Sequence, residues 1–109
     1  MKGKIVLVQF PFTDLSAAKL RPALVIHANH DDIVAAFISS RAPPEISGTE
    51  HVVRPDHPDF PSTGLKTSSV IRFDKIATVS RDMIEGEIGE VSGSLVLECN
   101  EIMSRVFRL

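Results

Sequence analysis

Three short stretches hold the side chains best suited to chemistry: Arg21 ahead of Pro22, Ser39-Ser40-Arg41 closing an apolar run, and Arg72-Phe73-Asp74. Proline biases the residue before it toward extended backbone and brings no amide donor of its own. Arg21 is therefore expected at a rim, where a guanidinium that stays charged at any physiological pH suits a phosphate or carboxylate ligand. Residues two apart on a strand share a face, so Arg72 and Asp74 should project together while Ile71 and Phe73 turn to the other side. The same patterns also fit a surface arginine beside a turn and an exposed same-strand ion pair of little energetic consequence.

Other candidates carry less. His27-x-x-His30 followed by Asp31-Asp32 looks superficially like a metal cluster, yet on a strand-to-turn segment this spacing does not bring two imidazoles to one face. No metal site is expected. His51 and His57 flank a proline-rich loop and could reach a groove. Cys99, the one cysteine, falls among helically spaced apolar residues, which points to a core thiol and excludes a disulfide framework. No phosphate-binding glycine loop, dinucleotide fingerprint or nucleophile elbow is present.

The elements that must position these residues are mostly strands. Lys4–Phe10, Pro22–His27 and Ile33–Ser39 are apolar on both parities, which predicts cover on both faces and hints at a second subunit over one of them. Asn29 and Asp31-Asp32 mark a hairpin turn. Residues 42–48 and 55–64 hold five of the seven prolines, so they read as loops around a short strand near Thr49–Arg54. Ser69–Phe73 and Lys75–Val79 continue the β pattern with a bend near Asp74, and Glu87–Val91 adds a short strand. After Ser92, a plausible N-cap, Leu95, Cys99, Ile102 and Val106 recur at helical spacing. The expected architecture is mostly β (α+β): six or seven short strands forming a small barrel with a C-terminal α-helix, in a single domain spanning residues 1–109.

Charge bounds the partners. The chain has 12 Lys and Arg against 14 Asp and Glu, which argues against a bulk electrostatic nucleic-acid binder. The imbalance is local, because Asp82 to Glu101 holds six acidic residues and no Lys or Arg. A polyanion would use the remainder of the surface. No apolar run approaches a membrane span, and Met1-Lys2-Gly3-Lys4 leads into a strand without a cleavage pattern, so a cytoplasmic protein is expected.

Taken in order, several blocks resemble the MazF/PemK (Kid-type) toxins of bacterial type II toxin–antitoxin systems. They are Gly3-Lys4-Ile5-Val6, Phe10-Pro11-Phe12-Thr13-Asp14, Lys19-Leu20-Arg21-Pro22-Ala23-Leu24-Val25-Ile26 and Ala36-Phe37-Ile38-Ser39-Ser40. Thr63-Gly64-Leu65-Lys66, Ser69-Val70-Ile71-Arg72 and Lys75-Ile76-Ala77-Thr78-Val79 complete the set. The resemblance implies an SH3-like barrel, a homodimer with an RNA groove, and a cognate antitoxin that occludes it. It further implies a sequence-specific endoribonuclease that cuts single-stranded RNA, usually mRNA, without metal or cofactor. The family's arginine before proline maps onto Arg21, its strand-end threonine onto Ser39, and its Arg-x-Asp pair onto Arg72 and Asp74. RNA contacts are then expected from Lys19, Ser40, Arg41, His51 and Lys66. Asp74 would serve as general base if partial burial raised its pKa, and His51 or a water would protonate the leaving group. Two departures stand out: serine replaces threonine at position 39, and the first loop, Leu15–Ala18, lacks the histidine that some members carry. A non-catalytic RNA- or peptide-binding barrel, or an oligomer-building subunit, would share the same pattern.

Overall fold

A computed structural model describes residues 1–10, 19–41 and 47–109. Six strands form one antiparallel sheet: β1 (Lys4–Phe10), β2 (Lys19–Ala28), β3 (Asp32–Ser39), β4 (Glu50–Val53), β5 (Ser69–Ser80) and β6 (Ile84–Glu90). Their order is β4-β5-β3-β2-β1-β6. A short helix α1 (Phe60–Thr63) lies between β4 and β5, and α2 (Gly93–Val106) ends the chain. Among the described residues no helix is long and apolar enough to cross a membrane.

The strands are apolar on both parities because the sheet buries both faces within one chain. Ile5, Leu24, Ala36, Ile38, Ile71 and Phe73 pack with Val53 and Phe60 against Leu95, Cys99 and Ile102 of α2. On the opposite face Val6, Val8, Ala23, Val25, Ile33 and Ala35 form a second cluster, none of them more than 1% exposed. Intrachain packing thus buries the apolar residues of both faces.

The expected strands are all present, with shifted ends. The two predicted segments around Asp74 are one twelve-residue strand. The bend is a bulge: Ala36 faces Ile76 but Phe37 faces Arg72, so Phe73–Lys75 are extra on β5. Such insertions kink a strand and re-aim its side chains. Helix α1, inside a segment read as loop, was not expected. It seats against the far edge strand, where a Cβ at Gly89 would overlap the Thr63 backbone.

The start of α2 is held from outside the helix. Ser92 occupies the N-cap position but makes no side-chain capping bond. Asp59 instead accepts from the Leu95 amide at 3.2 Å and the Ser94 hydroxyl at 2.9 Å. Gly93 is required beneath it: its φ is +51°, and a Cβ there would come within 2.6 Å of the Asp59 carboxylate. The Ser94 hydrogen bond, with help from the Leu95 amide, holds the Asp59 carboxyl below its ordinary value. A depressed carboxylate stabilises the fold above its unfolded pKa and loses that contribution as pH falls through the folded value. Asp59→Ala should therefore melt at a lower temperature than wild type at pH 7, and the gap should close in acid, as scanning calorimetry across pH would reveal.

Candidate active site

Arg21 owes its placement to where a ladder stops. β2 pairs with β1 as far as Lys19, with Arg21 opposite Val8. On its other side, β2 pairs with β3 only from Ala23 onward. Pro22, lacking an amide hydrogen, stands at the break. The exposed Arg21 side chain makes no hydrogen bond or ion pair with any described residue. Among the described residues nothing competes with an anion for its guanidinium.

Ser39 ends β3, half-buried, beside the same opening. Two residues on from the Ala23–Phe37 pair, along one face of each strand, stand Arg21 on β2 and Ser39 on β3. The Ser39 Oγ accepts from the Arg41 amide at 3.1 Å, which occupies a lone pair and leaves the hydroxyl proton to donate. Phe37 is paired on its far side with Arg72. Arg21, Ser39 and Arg72 therefore surround Phe37 on one face of the sheet. Ser40 and Arg41 follow at the surface.

Arg72 and Asp74 form a fork across the bulge, Nε donating to Oδ1 at 3.0 Å and Nη2 to Oδ2 at 2.9 Å. This hydrogen bonding holds the Asp74 carboxyl below its usual range, against an opposing push from burial, and raises Arg72. The expectation that burial lifts Asp74 is thus overturned: the guanidinium wins. Asp74 is a weak proton acceptor. The Nη1 edge of Arg72 has no partner among the described residues.

His51 must be moved out of this constellation. On β4 it faces Ile71, while its neighbour Glu50 faces Arg72, so His51 lies on the opposite side of the sheet. There its Nε2 meets Glu98 Oε1 at 2.8 Å, and His57 Nε2 meets the same carboxylate at 3.0 Å. The His57 Nδ1 accepts from the Asp59 amide at 3.0 Å, which makes Nε2 the donor toward Glu98. Burial raises the Glu98 carboxyl, but the bonds from His57 and His51 together bring it below its ordinary value. His57 clamps the proline-rich segment to α2, and His51 clamps β4 to the same helix. As a leaving-group acid or RNA contact beside Arg21, His51 is on the wrong face.

The remaining candidates stay apart or outside. Lys19 begins β2 opposite Phe10; Leu15–Ala18, where a loop histidine was sought, lies outside the described residues. Lys66 is exposed between α1 and β5. His27 and His30 are exposed, and among the described residues no three His, Cys, Asp or Glu groups converge on a metal position. Burial pushes the Cys99 thiol up to about 12, so it offers no thiolate. Glu50 and Glu98 were missed by sequence reasoning. A glutamate at a buried step of a strand was the available signal for Glu50; nothing local marked Glu98.

Taken together, two guanidinium edges and a hydroxyl donor on one face make a site for an oxyanion such as a phosphodiester. Comparison with known proteins bears on which. The family described as PemK-like, MazF-like toxin of type II toxin–antitoxin system matches residues 1–107. No curated protein matches the chain. Among solved structures, the Mycobacterium tuberculosis toxin MazF-mt6 superposes with a TM-score of 0.73 at 21% identity, covering 95% of each chain. An endoribonuclease in complex with its cognate antitoxin, from a mycobacterial species, gives 0.67 at 20% identity over 96% of this chain and 91% of that one. A further M. tuberculosis toxin gives 0.70 at 19% identity over 95% and 100%. Those likenesses give the fold, and the match across nearly the whole sequence gives the kinship: the chain belongs to the PemK-like, MazF-like toxins of type II toxin–antitoxin systems.

Proposed function

We propose that this chain is an endoribonuclease that cuts single-stranded RNA, using the substrate's own 2′-hydroxyl as nucleophile and needing no metal or cofactor. The observation that carries the reading is the arrangement of Arg21, Ser39 and Arg72 around Phe37, with the Arg21 guanidinium unpaired among the described residues. The 2′ oxygen attacks phosphorus, the bond to the 5′ oxygen breaks, and the products are a 2′,3′-cyclic phosphate and a 5′-hydroxyl. Arg21 and the free edge of Arg72 stabilise the charge of the pentavalent phosphorane, and Ser39 donates to a non-bridging oxygen. Asp74, anionic and locked in the fork, holds Arg72. The 2′ proton passes to solvent and the 5′ oxygen takes one back from it, at a rim open to water. The surface residues Ser40, Arg41 and Lys66, with Lys19, contact the RNA backbone.

The same reading makes the protein a cytoplasmic homodimer silenced by a cognate antitoxin, as family membership and a related endoribonuclease seen with its antitoxin support. A second reading, RNA binding without cleavage, draws on one fact: no strong general base lies in the fork. Incubation of a long mixed-sequence transcript with the protein in EDTA separates them. The nuclease yields discrete cuts with 5′-hydroxyl ends; an intact transcript that is nonetheless bound supports the second reading.

Arg21→Ala should lower kcat/KM by about 100-fold or more, the scale of losing one preorganised charge-stabilising donor, with an unchanged melting temperature. Wild-type cleavage rates in this variant would remove Arg21 from the mechanism. Ser39→Ala should lose about tenfold, a worth of roughly 1.4 kcal/mol, while Ser39→Thr keeps near-full activity because the hydroxyl survives. Because Asp74 is depressed, it stays ionised from pH 5 to 8 and should add no inflection to the rate profile there. An acid limb in that window that vanishes in Asp74→Asn would restore Asp74 as the base.

A further inference from the structure

We propose that Glu50 is a positioning residue for Arg72, holding the guanidinium from the neighbouring strand while its own oxygens are kept from bonding it. Its kinetic consequence rests on the nuclease reading above. Glu50 is a carboxylate only 6% exposed, on β4 directly opposite Arg72 on β5. A buried carboxylate facing a guanidinium would ordinarily pair with it. Here it makes no hydrogen bond to Arg72. One oxygen accepts from the Ser47 amide at 3.3 Å; the other accepts from the Ser47 hydroxyl at 2.9 Å and the Thr49 hydroxyl at 3.4 Å. The two hydroxyls are themselves 2.8 Å apart, so the turn before β4 wraps the carboxylate.

The consequence is a division of labour between two carboxylates. Asp74 takes Nε and Nη2 of Arg72 through the fork. Glu50 contributes attraction across the ladder, strengthening the hold of Arg72 on its charge, without occupying Nη1. That edge stays open for a phosphate oxygen. Glu50 itself is too enclosed to touch RNA, so whatever it does must pass through Arg72. Ser47 and Thr49 are what prevent it from becoming a competitor for the same edge.

Glu50→Gln keeps the volume and an acceptor oxygen but removes the charge, and Ser47→Ala, at an exposed position, keeps the charge but removes the shorter of the two hydroxyl donors to one oxygen of Glu50. The full-length chain would be assayed on a defined single-stranded RNA, and the Arg72 Nε–H resonance followed by NMR. Glu50→Gln should lower kcat about tenfold, equivalent to ~1.4 kcal/mol. Its KM should fall about twofold because Arg72, no longer drawn toward Glu50 across the ladder, meets the phosphate more freely in the ground state. Its Arg72 resonance should move and exchange faster with water. Ser47→Ala should raise KM as Glu50 closes on Nη1. A general loss of structure would not lower KM while lowering kcat. An Arg72 resonance and exchange rate equal to wild type in both variants would overturn the proposal, whatever the rates. If wild type cuts no RNA, the nuclease reading falls, and the resonance alone still decides whether Glu50 positions Arg72.

Discussion

A missing amide proton governs the site. Within an antiparallel sheet successive residues of a strand turn their backbone groups to alternate neighbours, and a proline has no N–H to offer the neighbour it faces. At Pro22 the ladder between β2 and β3 ends, although β3 runs on to Ser39 against β5 and β2 runs back to Lys19 against β1. The two strands continue without each other, and the residues flanking the gap are Arg21 and Ser39. Their backbones are each held by one remaining neighbouring strand among the described residues. A cation placed this way needs no loop to carry it, and the order of strand pairing fixes its position relative to Phe37 and Arg72.

Electrostatics then sorts the two arginines. Arg72 is bonded to Asp74 and faces Glu50, so much of its charge is answered locally. Arg21 is answered by nothing among the described residues. In a chain with net charge −2, three exposed carboxylates, Glu85, Glu87 and Glu90, lie away from Arg21 on β6, the edge strand three places from β3. Repulsion there and attraction at β2–β5 would orient an approaching polyanion more than strengthen its binding. The same arrangement explains why Asp74 makes a poor base. A group that must pin a guanidinium through two short hydrogen bonds gives up the basicity that proton abstraction would need.

How much of this was legible in the chain depends on whether the cause was local. The strands Lys4–Phe10 and Ile33–Ser39, the turn at Asn29, the bend near Asp74 and the helix after Ser92 follow from alternation, turn chemistry and period, and all are present. That Arg72 and Asp74 share a face follows from the two-residue repeat, which the bulge did not disturb. Their pKa direction did not follow, because it turned on fork geometry against burial, and sequence gives neither. His51 was misplaced for a related reason. A four-residue strand, Glu50–Val53, can present either parity to a groove, and only pairing with β5 assigns Glu50 to the Arg72 face and His51 to the helix. The apolarity of both faces was read correctly, and two clusters inside one chain bury it.

Those far-face contacts have a bearing on the site through rigidity. Asp59 caps α2, and His51 and His57 converge on Glu98 of the same helix, so the segment between β4 and β5 is tied to α2 at both its start and its middle. Short helix α1 in that segment is pressed in turn against β6 through Gly89. The two edges of the sheet, β4 and β6, are not paired among the described residues, yet each is fastened to a neighbour of the other. A six-stranded sheet left open at its edges would be free to change twist, and the distance from Arg21 to Arg72 spans two inter-strand steps that depend on that twist. Polar contacts that never meet a substrate thereby restrain the spacing of the groups that would.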